Sequence, residues 1–188
     1  MSEAETRPKR STARPTRWWE WLVLLATLAV IVGILWPVLH RAREEAASSG
    51  CLDVVRNLGQ AFRLYAEDNG MALPPGETWP ERVLAYSAEM SIDPLLCPAD
   101  RRQVRQRSGP YETSYTMNAA LSGASLGQGG ASSVTALLFD GLQVAGGKES
   151  ADFRHTGPGR KRYLWVEKVG GGGRALERAE FDAVMARP

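Results

Sequence analysis

The chain is poor in the residue types that most often announce chemistry. Among 188 residues there are only two cysteines and two histidines. A disulfide-dense secreted scaffold needs several cysteine pairs, so that class is excluded. No structural zinc site is read from so few cysteines and histidines. No nucleophile elbow, dense Asp-x-Asp calcium loop or internal repeat is read. Glycine-rich stretches at 123–130 and 170–173 lack the strand–helix context of a phosphate-binding turn. Charge of one sign is missing too: 23 basic residues face 21 acidic ones, a net charge of +2. Five of those basic residues (Arg7, Lys9, Arg10, Arg14 and Arg17) lie in residues 1–17 with only Glu3 and Glu5. The remainder has no basic excess to neutralise phosphates, which excludes a nucleic-acid partner.

What the averages conceal is one long apolar run. The mean hydropathy is −0.26, yet Trp21 to Leu39 reads WLVLLATLAVIVGILWPVL without a charge. As a helix this run spans about 28 Å, close to a bilayer's hydrocarbon core. It has no polar stripe and runs into the charged HRAREE of His40 to Glu45. A retained membrane span fits better than a cleaved signal peptide, whose apolar part is shorter. The basic flank places the N-terminus in the cytoplasm by the positive-inside rule. Trp18, Trp19, Trp21 and Trp36 bracket the run as interfacial anchors would. Glu20, at its edge, reads either as an interfacial carboxylate or as a recognition charge for another subunit.

Beyond the span, Cys51, Val55, Leu58, Phe62 and Tyr65 recur at helical spacing. Asp68-Asn69-Gly70 closes that helix, with Gly70 as the breaker. One helix over 18–68 is expected, with Pro37 and Gly50 as kinks. Two helices hinged at Ala47 to Gly50 are the alternative. The rest reads as a small α+β head with an antiparallel sheet. It has a helical patch at Glu81 to Tyr86, and Ser114 to Asn118 as strand or tight turn. Strands are expected at Val134 to Phe139 and at Arg162 to Val169. Exposed loops are read at 101–113 and 126–133. Gly170 to Gly173 reads as a flexible joint before a terminal helix from Arg174 to Ala186. That helix would turn Leu176, Ala179, Ala183 and Val184 inward. The organisation is a basic tail over 1–17, a transmembrane helix over 18–39, an amphipathic stalk over 40–69 and a head over 70–188.

Ile34 to Gly70 (ILWPVLHRAREEAASSGCLDVVRNLGQAFRLYAEDNG) resembles the helix of bacterial type IV pilin-like proteins of the type II secretion pseudopilin kind. The resembled subfamily has an apolar stretch ending in proline, then Arg-Ala-Arg-Glu, a cysteine, an Asn-Leu near-repeat and a tyrosine with an acidic turn. Glu20 stands at the family's spacing from Pro37. Later landmarks follow in order. LLCPADRR with Asp100 resembles Cys-Pro-x-Asp, and SYTMNAALSG with Tyr115 and Asn118 resembles Ser-Tyr-x-x-Asn. LLFDG with Asp140 and Gly141, and FRHTG with His155 and Gly157, resemble the late strand and the His-Gly turn. Two positions depart from the pattern. Pro15 and Thr16 stand where the processing site has Gly-Phe, and Trp165-Val166 stands where the subfamily has Asp-Gly ten residues after its histidine.

The resemblance implies a non-enzymatic structural or accessory component of a type II secretion or type IV pilus-type assembly. Its implied setting is the bacterial inner membrane, single-pass, with the C-terminal domain periplasmic. Its implied partners are the lipid bilayer and other pilin-like subunits or secretion-system membrane proteins. Glu20 would be the assembly residue, neutralising a neighbour's N-terminal amine. Pro15 points to an unprocessed subunit. The alternative is a membrane-tethered periplasmic ligand-binding or sensor domain on a pilin-type anchor. An even cysteine count outside the cytoplasm, with both cysteines at matched family positions, points to one Cys51–Cys97 disulfide. Two buried free thiols are the alternative. His155 reads as a turn histidine bonding its own loop rather than as the base of a nucleophilic site, and no metal or cofactor is assigned.

Overall fold

The computed structural model describes residues 17–87, 95–100, 113–126, 132–157 and 161–185. The chain divides into two compact units, Met1–Ala42 and Arg43–Pro188. Pro15, Thr16, most of the basic tail, and much of the loops expected at 101–113 and 126–133 lie outside the described residues.

In the first unit the fold is helix. The helix α1 runs Trp18–Asp68 as one element, with Pro37 inside it and Glu20 in its first turn. The expected single helix is therefore found, without a break at Ala47 to Gly50. Proline at 37 removes one backbone donor. Every residue from Trp21 to Leu39 is exposed. The helix is long and apolar enough to cross a membrane. Glu20 sits where the free N–H groups of a helix start favour negative charge.

In the second unit α1 turns amphipathic. Cys51, Val55, Leu58, Phe62 and Tyr65, the stripe read from spacing, are all buried. Val54, Ala61 and Ala66 join them. The helix ends at Asp68, and Gly70 follows with φ 66°. That left-handed backbone carries no steric cost in glycine. The short helix α2, Trp79–Leu84, starts with Pro80 in its first turn, where a missing donor is harmless.

The sheet has six strands: β1 Tyr115–Asn118, β2 Ala136–Asp140, β3 Ala145–Gly146, β4 His155–Thr156, β5 Arg162–Lys168 and β6 Arg174–Leu176. Their order is β3-β1-β2-β5-β4, with β6 also paired to β5. All pairings are antiparallel except β1 with β3. The helix α3, Arg178–Met185, follows. The molecule is thus α+β, a long apolar helix followed by a small, mostly antiparallel sheet domain.

Two apolar clusters lie against the sheet. One holds the α1 stripe with Trp79, Val83, Tyr115, Met117, Leu137 and Leu138. The other holds Ala136, Phe139, Phe153, Leu164, Val166, Leu176 and Phe181. Side chains alternate along a strand, so Leu164 and Val166 fall in one cluster while Trp165 packs against the other. An irregularity between Ala136 and Leu138 lets both Leu137 and Leu138 join the α1 side, as a bulge does.

The C-terminal reading needs correction. Arg174 to Leu176 is a strand, not the start of a helix. Gly170 to Gly173 is the turn between β5 and β6, with Gly171 and Gly172 at φ 87° and 90°. It is a hairpin connection rather than a flexible joint. The helix begins four residues later than expected and buries Phe181, with Val184 and Met185 packed beside it. Ala179 and Ala183 are exposed. Backbone pairing to β5 outweighed the helical spacing of the alanines, which offer little apolar area.

Candidate functional site

Two of the motif positions, His155 and Asp140, lie beside the Cys51–Cys97 disulfide, which is formed. Cys51 comes from α1, and Cys97 from the segment 95–100. Both sulfurs are buried. A bridge over 46 residues of sequence ties a helix to a segment with no strand of its own.

Next to it stands a histidine–carboxylate pair. Asp140 ends β2 and points to the same side of the sheet as Leu138, two residues earlier. Its Oδ2 lies 3.2 Å from His155 Nε2, and both side chains are fully buried. The same oxygen accepts the backbone N–H of Trp165 at 2.7 Å. His155 Nε2 also lies 3.9 Å from Cys97 Sγ. The imidazole stacks on Tyr163 at 5.5 Å and borders Trp165 at 6.1 Å. His155 is therefore a strand residue bonded across the sheet, not a turn residue bonding its own loop. Pairing of β4 with β5 at His155 and Tyr163 sets this placement.

A second layer is organised by Arg154, which sequence reasoning missed. Its Nη1 donates to Asp100 Oδ2 at 2.8 Å, and its Nη2 donates to the carbonyls of Ser114 and Gly141 at 3.0 and 3.1 Å. Its Nε faces Asp152 Oδ2 at 3.0 Å. Asp100 also accepts the Ser114 hydroxyl at 2.8 Å. The planar five-donor fork of arginine suits such a hub. Asp100 and Asp152, two oxygen donors that a cation site could have used, both pair with this guanidinium. The only signal in the sequence was an arginine directly preceding the motif histidine.

The remaining motif residues are structural. Tyr115 lies beside this cluster, fully buried, and its hydroxyl has no hydrogen-bond partner among the described residues. Burial first, and then the Asp140 charge, push its phenol well above the ordinary range. Asn118 accepts the Ala120 N–H at 3.1 Å and donates to the Ala136 carbonyl at 2.9 Å, which caps a short turn and clips β1 to β2. Gly141 admits no side chain, since a Cβ there would stand 2.6 Å from Thr116 Cβ and 2.9 Å from the Ser150 carbonyl. Gly157 lies against the Tyr163 ring, 3.3 Å from where a Cβ would stand.

A separate ion pair joins a half-buried arginine of α1 to a buried glutamate of β5. Glu167 on β5 is 1% exposed and meets Arg63 at 3.0 Å. Its side chain fills the space left by Gly59, while Gly173 leaves room for its Oε2. Burial raises this carboxyl above its ordinary range, and the Arg63 bond and charge only partly offset that.

Gly123-Ala124-Ser125-Leu126-Gly127 carries the Gly-x-Ser-x-Gly spacing, which the elbow reading overlooked. Ser125 follows a 3-10 turn and bridges to Ala72. That is not the strand–turn–helix an elbow requires. An open cleft of about 370 Å³ lies over Tyr163 and Trp165, rimmed by Lys161, Glu177 and Glu180. The Ser48 hydroxyl joins Tyr163 Oη at 2.9 Å and accepts from Trp165 Nε1 at 3.3 Å. Family models, curated proteins and solved structures contain no significant match to the chain.

Proposed function

We propose that this chain is a single-pass inner-membrane protein of pseudopilin-like type, a structural or accessory subunit of a type II secretion or type IV pilus-type assembly. The observation that carries the reading is α1 itself. A 51-residue helix is apolar and exposed through Leu39 and then buries one face from Cys51 onward. Such a helix can hold lipid with one part and a folded domain with the other. In this reading the N-terminus is cytoplasmic and the sheet domain periplasmic, where a disulfide persists. The chain has no catalytic role. Glu20 serves neighbouring subunits, because a carboxylate at the edge of an apolar run needs a partner.

Mass spectrometry of the native N-terminus, with co-purification from cross-linked membranes, tests the proposal. The expected result is a chain that keeps Pro15 and captures pilin-like or secretion-system membrane proteins. A mature chain starting at Thr16 would remove the unprocessed version. A chain that captures no such protein would sink the assembly role. The cleft over Tyr163 and Trp165 favours a second reading, a tethered ligand-binding head. A ligand that raises the melting temperature of wild type but not of Trp165→Ala would support it.

A further inference from the structure

Three potential metal ligands from three parts of the fold meet at one buried point, with the Asp140 carboxylate beside the third. Cys51 Sγ, Cys97 Sγ and His155 Nε2 all lie within 4.8 Å of one another. The imidazole nitrogen is 3.9 Å from Cys97 Sγ and 3.2 Å from Asp140 Oδ2. Tetrahedral zinc bonds of about 2.0–2.1 Å to N and O and about 2.3 Å to S place N and O about 3.3 Å apart, and N and S about 3.6 Å apart. The His155–Cys97 separation differs from the second value by a few tenths of an ångström. The two sulfurs are bonded to each other.

We propose that reduction of this disulfide converts Cys51, Cys97 and His155 into a three-ligand site for a divalent ion of the zinc type, with Asp140 beside the imidazole to balance its charge. A thiol-class reductant supplies two electrons and two protons, the S–S bond breaks, and the reductant ends as its own disulfide. The ion then replaces the two thiol protons, which leave to solvent, and two metal–sulfur bonds form. A solvent molecule fills the fourth position, as in open zinc sites with three protein ligands.

Two further observations favour an ion here. Asp140 Oδ1 is buried and has no hydrogen-bond partner among the described residues. An anionic group in that state is costly, and a bound cation would compensate it. The carboxylate and the imidazole are also held by groups behind them. Trp165 N–H fixes Asp140 Oδ2, and Tyr163 stacks on His155. Orienting contacts of this kind are what metal ligands require.

The test uses the full chain in detergent micelles, reduced or oxidised, titrated with Co²⁺ as a spectroscopic stand-in for zinc. The reduced chain should bind one Co²⁺, with a thiolate-to-cobalt charge-transfer band and the intense visible absorption of a tetrahedral site. The oxidised chain should show neither. His155→Ala and Asp140→Asn should each weaken binding at least about tenfold. If reduction loosens the fold, Co²⁺ should restore its circular dichroism in wild type but not in His155→Ala. A reduced chain without the charge-transfer band overturns the proposal. So does a His155→Ala chain that binds as tightly as wild type, since two thiols alone would then explain the binding.

Discussion

The Arg154 guanidinium holds the Asp100 carboxylate at 2.8 Å with both side chains almost wholly buried. The same guanidinium gives its other Nη donor to two backbone carbonyls. It thereby joins the segment after Cys97 to the start of β1, the end of β2 and the approach to β4. Replacing it removes the buried cation that Asp100 and Asp152 face. Arg154→Ala should cost about 3–5 kcal/mol of stability, measured by urea unfolding in micelles. Arg154→Lys should recover only part of this, because an ammonium cannot form the planar fork. Full recovery by lysine would show that charge alone matters.

The disulfide closes a loop of 46 residues. In the chain-entropy account its removal costs roughly 3–4 kcal/mol. The double variant Cys51→Ala/Cys97→Ala should unfold at correspondingly lower urea. Alkylation of the native, denatured chain without reductant should add no mass. A mass increase there would mean free thiols.

Glu167 gives a pH dependence whose sign differs from that of ordinary salt-bridged carboxylates. Its folded pKa is raised above the unfolded value, so the folded state binds the proton more tightly. Stability tied to this group is full below the ordinary glutamate range and falls as pH rises through the raised folded value. The difference between wild type and Glu167→Gln should therefore move against wild type as pH rises through that window. A difference independent of pH would refute the assignment. A difference of opposite slope would mean that Arg63 dominates over burial.

Gly141→Ala should be destabilising although the backbone there is unremarkable. The added methyl meets Thr116 and the Ser150 carbonyl, and a carbonyl cannot rotate away as a side-chain end can. A loss of about 1–3 kcal/mol is expected from overpacking. Gly70→Ala meets nothing within 4 Å. It should cost only the left-handed backbone, about 1–2 kcal/mol. Equal effects of crowding and of backbone would be seen as equal losses, and the Gly141 loss should be the larger.

Much of this fold was legible because its signals are long or periodic. The apolar run is unbroken and the Cys51-Val55-Leu58-Phe62-Tyr65 stripe repeats over several turns, so α1 could be read whole. Strands β2 and β5 were found from short apolar or alternating runs, and β1 was read as strand or tight turn. Strand β6 was not, because Arg-Ala-Leu has no strand pattern and owes its form to pairing with β5. The site was half legible. Asp100, Asp140 and His155 were singled out by order alone, but their meeting depends on register across three strands and a loop. Arg154 and Glu167 were invisible as buried charges, since nothing local tells a solvated arginine or glutamate from one paired across the sheet.

Cys51 is the first fully buried residue of α1. Any pull along that helix from its apolar end therefore meets a covalent rivet before it meets the packed stripe behind it. Tension would pass through sulfur into the segment around Cys97 and on through Asp100 and Arg154 to the strand edges. Extraction of such a chain by its helix would load the sheet domain as one body rather than peel the helix from it turn by turn.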